Sequence, residues 1–248
     1  MKYDIRTAVL PVIFILLLHI SCTKESAGGA SSGAGGSLAK FAVVGDYLYI
    51  LSDSRNLTVY DIADPRQPRE KKKMAVGNNL ETIYPYKNKL YIGAADGMYI
   101  VSVEKPSNPV VQGSISHFRS CDPVVSNDSI SYVTLRSGSA CGGSHNVLNV
   151  YNTKTLSNPV LMEQVQMSSP WGLGLNGRAL YVCDGSKGLA IFDLSNPWIP
   201  VRKQTFTDNA YYDVIPYDNT LIAWVGTGVV FFDMSDPLNP VKQGELKD

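Results

Sequence analysis

The chain has 248 residues, room for one large domain or two small ones. A hydrophobic fraction of 44% excludes disorder along the whole length. Twenty-two basic and twenty-two acidic residues cancel, so nothing marks the chain as a nucleic-acid binder. Charged residues make up only 18%, and the 21 Gly, 14 Pro and 14 Tyr favour strands and turns over long helices.

Residues 1–21 read as an export signal. Lys2 and Arg6 precede an apolar run, Ala8–Leu18, and His19-Ile20-Ser21 lead to Cys22. The run falls short of the about 20 apolar residues of a spanning helix, and Pro11 interrupts it. The small residue before Cys22 resembles a bacterial lipoprotein signal, although His19 stands where that pattern has Leu. The resemblance implies that Cys22 becomes the acylated N-terminus, anchored to a membrane. An uncleaved or conventionally cleaved signal, with Cys22 incidental, is the alternative. Residues 22–37 then form a Gly/Ser/Ala tether, TKESAGGASSGAGGS after the cysteine. Such a segment buries little and reaches roughly 20 Å. Thr23 after the cysteine resembles lipoproteins released to an outer membrane, so an outer-membrane location in the cell envelope is expected, with surface exposure open.

Residues 38–248 repeat. Leu57–Pro68 (LTVYDIADPRQP) recurs as Met98–Pro109, Leu148–Pro159, Leu189–Pro200 and Val229–Pro240, with starts 41, 50, 41 and 40 residues apart. In each copy an apolar strand ends at Asp61, Ser102, Asn152, Asp193 or Asp233. Each of these can accept a hydrogen bond from the backbone two residues on and start a turn. Proline pairs close the turn, except that Leu156 replaces the first proline of the third copy. A strand centred on Tyr49, Tyr91, Tyr132, Tyr181 or Ile222 precedes each copy. An inner strand, with core positions Phe41, Ile83, Val124, Leu173 and Val214, lies further upstream. A more polar fourth strand follows, and the Lys71-Lys72-Lys73 run there reads as a protected sheet edge.

Four antiparallel strands per period of about 40 residues predict an all-β, five-bladed β-propeller. Ring closure would bring residues 38–41 and 241–246 together. The segments LTVYDIADPRQP, LAIFDLSNPWIP and VVFFDMSDPLNP resemble LVIVD repeats of bacterial and archaeal surface proteins. That resemblance implies a propeller at the cell surface and no particular reaction.

The 50-residue spacing comes from an insertion, Arg136–Asn146, in the third repeat. It carries Cys141, and the meander brings Cys121 to the same end of the blade. In an exported chain a disulfide between them is the default reading. His117, Cys121, Cys141 and His145 form the alternative, a tetrahedral zinc set of loose spacing. Cys183 reads as a small buried hydrophobe. Asn56-Leu57-Thr58 matches a glycosylation sequon and carries little weight in a bacterial lipoprotein.

Propeller ligands usually sit at the mouth of the central channel, where the innermost strands begin. The repeat register puts Ala39, Glu81, Asp122, Trp171 and Tyr212 there, followed by Lys40, Thr82, Pro123, Gly172 and Asp213. Tyr211 adjoins them. These residues differ between blades while the scaffold repeats, as expected of a site carried on a fold. Glu81, Asp122 and Asp213 can bind a cation or serve as acid and base. Trp171, Tyr211 and Tyr212 can stack on a sugar or a peptide. No nucleophile elbow, phosphate loop, Cys-x-x-Cys or His-Glu-x-x-His occurs, and no cofactor is expected. The expectation is a monomeric, membrane-tethered module that binds a glycan or an envelope protein without catalysis. The alternative is a glycan hydrolase or lyase with a carboxylate and cation site at the mouth.

Overall fold

The computed structural model describes residues 36–116, 123–138 and 143–247. They build five four-stranded antiparallel blades. Blade one holds β1 (Phe41–Val44), β2 (Tyr47–Leu51), β3 (Asn56–Asp61) and β4 (Arg69–Ala75). Blade two holds β5 (Leu80–Tyr86), β6 (Lys89–Ala94), β7 (Gly97–Ser102) and β8 (Val110–Ser116). Blade three holds β9 (Val124–Ser126), β10 (Ile130–Leu135), β11 (Val147–Asn152) and β12 (Val160–Gln166). Blade four holds β13 (Leu173–Asn176), β14 (Ala179–Cys183), β15 (Leu189–Asp193) and β16 (Val201–Phe206). Blade five holds β17 (Asp213–Tyr217), β18 (Thr220–Trp224), β19 (Gly228–Asp233) and β20 (Val241–Lys247). Every blade is a simple meander of consecutive strands, the expected five-bladed propeller.

Each repeat folds for the same local reasons. The short polar residue at the end of the third strand accepts the expected hydrogen bond in all five blades. Donors are Ala63 to Asp61 (3.1 Å), Glu104 to Ser102 (3.3 Å), Lys154 to Asn152 (3.0 Å), Ser195 to Asp193 (2.9 Å) and Ser235 to Asp233 (2.7 Å). The pairing of third and fourth strands then slips by one residue at the same place in every blade, for example between Val59 and Tyr60. Such a bulge adds twist to the outer strand. At the tight turn between β1 and β2, Gly45 takes φ +57°, which glycine adopts without strain.

The core lies between blades. One apolar cluster joins blades one and two, and others join two to three, three to four and four to five. A tyrosine on the second strand fastens each of these junctions. The hydroxyls of Tyr49, Tyr132 and Tyr181 donate to the carbonyls of Pro106, Pro197 and Pro237 in the next blade, at 3.0, 2.8 and 2.8 Å. Tyr91 donates instead to Asn127 of blade three, at 3.4 Å. All four rings are fully buried. The fourth strand adds a second clamp, from Lys72 to the Pro109 carbonyl and from Gln204 to the Leu238 carbonyl.

The seam between blades five and one is different. No apolar cluster of the described residues spans it. Ile222 holds the clamp position and has no hydroxyl to donate. A side chain at Gly113 would collide with the Leu156 carbonyl of the next blade, whereas its counterpart Gly244 meets nothing. Phe41, expected in the core, is 62% exposed, and Tyr217 is 60% exposed across the seam. The other four inner-strand positions, Ile83, Val124, Leu173 and Val214, are buried. The inner strand β1 packs on β5 of blade two with no comparable packing on β20, so the expected meeting of residues 38–41 with 241–246 is limited. The contact across the inner end comes from further upstream, through Gly36 and Ser37.

Replacing a clamp hydroxyl leaves a carbonyl without its partner at a closed junction. Tyr181→Phe is expected to lower the unfolding free energy by about 1 kcal/mol, read as a lower urea midpoint with an unchanged slope. Ile222→Val, at the seam, makes no change in hydrogen bonding and should shift the midpoint less.

Candidate functional site

The starts of the innermost strands converge on a cavity of about 420 Å³ at one mouth of the channel. Lys40 comes from blade one, Glu81 and Thr82 from blade two, Pro123 and Arg136 from blade three, and Trp171 from blade four. Four of the five blades thus contribute side chains of different chemistry, from two adjacent register rows at the strand starts and, for Arg136, from the end of β10.

Trp171 is held from both sides. Its amide donates to the Cys183 carbonyl at 2.7 Å, and its carbonyl accepts the Thr134 hydroxyl at 2.6 Å. The Arg136 guanidinium lies over the indole at 3.7 Å from the ring centroid. That separation is a close cation–π contact. Burial pulls the Arg136 pKa below its ordinary value, and the nearby Glu81 charge acts in the opposite direction. Tyr212 meets Trp171 edge-on at 5.0 Å, and Trp224 follows at 5.4 Å. An aromatic row therefore runs from the mouth into blade five.

Asp213 sits outside the mouth lining. Its carboxylate accepts the Val214 amide at 3.0 Å and the Ser37 hydroxyl at 3.3 Å. The Ser37 hydroxyl oxygen in turn accepts the Leu173 amide at 2.7 Å. Side chains on Gly36 or Gly172 would run into this carboxylate, so both positions require glycine for the close approach. Burial pushes the Asp213 carboxyl up to about 6, against the opposing pull of donors from Val214, Ser37 and Leu38. Gly36 and Ser37, read from the sequence as the end of the tether, are buried and belong to the folded domain.

Tyr211 also departs from the mouth. It is fully buried in the cluster between blades four and five, and its hydroxyl donates to Asp208 at 2.8 Å. The expected ring thus brings Glu81, Thr82 and Trp171 together with Lys40, while Tyr212 supports Trp171 from behind. Arg136 was legible only as the first residue of the insertion. Its role follows from the hairpin that carries it back over Trp171.

His145 lies in a different place, between blades two and three. His117, Cys121, Asp122 and Cys141 lie outside the described residues, as does Cys22. Among the described residues no group of three or more His, Cys, Asp or Glu is arranged to hold a metal ion. Cys183 is a free thiol, fully buried as expected, and burial raises its pKa well above the usual range. No described helix is long and apolar enough to cross a membrane.

The family described as LVIVD repeat matches residues 35–76 and 171–208, the first and fourth repeats. The chain is a β-propeller that carries LVIVD repeats. No curated protein matches it. Among solved structures, a functionally unknown protein of Desulfotomaculum acetoxidans is similar over 87% of this chain and 71% of its own, with TM-score 0.71 and 10% identity. The periplasmic gluconolactonase of Pseudomonas aeruginosa is similar over 82% and 68%, with TM-score 0.60 and 10% identity. AztD of Citrobacter koseri is similar over 84% and 59%, with TM-score 0.60 and 12% identity. Likeness at this level of identity is one of fold.

The Asp213 carboxyl holds its proton more tightly in the folded chain than in the unfolded one. Its contribution to stability is present below the ordinary value of 3.8 and is lost as the pH rises through about 6. Asp53 and Asp193, held down to about 2, change charge below this window. Urea unfolding should therefore show a stability loss between about pH 4 and pH 7 that is absent in Asp213→Asn. An identical pH profile for the two proteins would contradict this assignment.

Proposed function

We propose that the chain is a binding module of the cell envelope, with the channel mouth as its ligand site. The observation that carries this reading is the Trp171–Arg136 stack in an open cavity that also presents Lys40, Glu81 and Thr82. A stacked aromatic surface beside donors, acceptors and both signs of charge suits a glycan or an extended peptide. The sheet scaffold holds these groups on rigid strand ends, so little order has to be created on binding.

The hydrolase or lyase alternative draws on Glu81, Asp122 and Asp213, of which Asp122 lies outside the described residues. Asp213 is committed to Ser37 and the neighbouring amides beneath the lead-in segment. Its placement favours binding over acid–base chemistry at this position. The reading includes attachment through lipid-modified Cys22, with the intervening segment as a tether to an outer membrane. The folded domain then works as a monomer close to that surface.

The test is a glycan array combined with pull-down from envelope extracts, using the full chain and the Glu81→Ala/Trp171→Ala double variant. A ligand retained by the wild type should bind the variant at least tenfold more weakly, a loss of about 1.4 kcal/mol or more. Cys22→Ser should move the chain from the membrane fraction to the soluble fraction without changing that affinity. Equal ligand binding by the double variant would remove the mouth as the site.

A further inference from the structure

The four closed junctions repeat one interface, so each serves as a control for the others. At the junction of blades four and five, Phe206 of the outer strand packs on Phe232 with centroids 4.8 Å apart. Tyr211 approaches the same ring at 6.3 Å. The interior there is filled with aromatic carbon. At the junction of blades two and three, the same two register positions hold Ile115 and Tyr151. The outer-strand position is aromatic at the junction of blades four and five alone and holds Met74, Ile115 and Val165 at the other closed junctions, and a cavity of about 640 Å³ opens beside Ile115.

The chemistry of the wall changes at the same place. Val230 of blade five is matched by Asn149 of blade three. Asn149 is 2% exposed, and a carboxamide at that depth is costly unless its hydrogen bonds are made. It donates to the Tyr151 hydroxyl at 3.0 Å and accepts from Gln164 at 2.9 Å. This polar line faces apolar surface from Ile115, Leu135 and Leu161. Leu161 is 47% exposed at the rim, where blades one, four and five carry Glu70, Arg202 and Lys242. The insertion that breaks the repeat reaches the same rim through His145. Two departures from the repeat thus fall on one cavity: a buried carboxamide line and the end of the insertion that carries His145.

We propose that this interblade cavity is a second binding site, distinct from the channel mouth. It takes a small uncharged molecule with a planar apolar body and an amide-like hydrogen-bonding edge. The apolar walls receive the body. The Asn149–Gln164–Tyr151 line supplies both donors and acceptors for the edge. Among the described residues no Asp, Glu, Lys or Arg lines the cavity and His145 stands at its rim, so a charge carried in among Ile115, Leu135 and Leu161 would lose its hydration without a partner. The volume falls within the about 300–1,000 Å³ range of small-molecule sites.

Benzamide tests the proposal as a probe, with benzoate as its charged counterpart, by saturation-transfer NMR titration of the full chain. Two variants copy the closed junction of the same protein. Ile115→Phe introduces the ring supplied there by Phe206, and Asn149→Val introduces the residue found at Val230. Benzamide should bind the wild type at least tenfold better than benzoate, and each variant should weaken it at least tenfold. The thermal midpoint of Ile115→Phe should equal or exceed that of the wild type, since it fills space. Absence of benzamide binding at millimolar concentration, equal binding of benzoate, or unchanged affinity in both variants would each overturn the proposal.

Discussion

A four-stranded blade with two apolar faces is stable only when another blade covers each face. This constraint governs the whole molecule. The cost of ordering about 40 residues per blade is offset by burial that no blade achieves alone. Here the covering is done by the apolar clusters and by a tyrosine that reaches across each closed junction to a backbone acceptor. The proline pairs shape the loops that hold most of those acceptors. Where Ile222 replaces the tyrosine, covering weakens, and Phe41 and Tyr217 stay in solvent. The contact between Asp213 and the Gly36–Ser37 segment bridges the inner end of that seam, so the lead-in to the first strand helps hold the ring.

Because the scaffold repeats, the ends of its strands are free to differ. Function can then accumulate at two kinds of place. One is the channel mouth, where equivalent positions from several blades face one another. The other is a junction whose packing leaves a cavity. Blade three serves both: its insertion begins with Arg136 over Trp171 and ends near His145 at the interblade cavity. The blade with the most degenerate repeat thus carries residues at both sites.

The architecture was legible in the sequence because its causes are local and recur. Turn-starting Asp, Asn and Ser residues, proline pairs and tyrosine strands appear at fixed spacing, and the turn-starting residues accept the predicted hydrogen bonds. Glu81, Thr82, Lys40 and Trp171 were legible at the mouth for the same reason, since strand register alone positions them. What register cannot report is the partner of a side chain. Phe41 looks like Ile83 in the pattern, yet it faces a junction that lacks its clamp. Ser37 looks like any serine in a Gly/Ser run, and only the buried Asp213 carboxylate gives it a place. Tyr211 adjoins the mouth in sequence but lies before β17, bridged to Gly185, and its ring packs in the core between blades four and five. The interblade cavity was invisible because it depends on how two blades pack against each other and not on the repeat pattern.

The central claim is that covering by neighbours sets stability blade by blade, with the seam as the weak junction. Hydrogen exchange of the backbone amides, followed by mass spectrometry, measures this directly. Exchange should be slowest in blades two to four, with β1–β3 of blade one and β17–β19 of blade five opening first. Equal protection of all five blades would show that the seam is as well covered as the other junctions and would contradict the account.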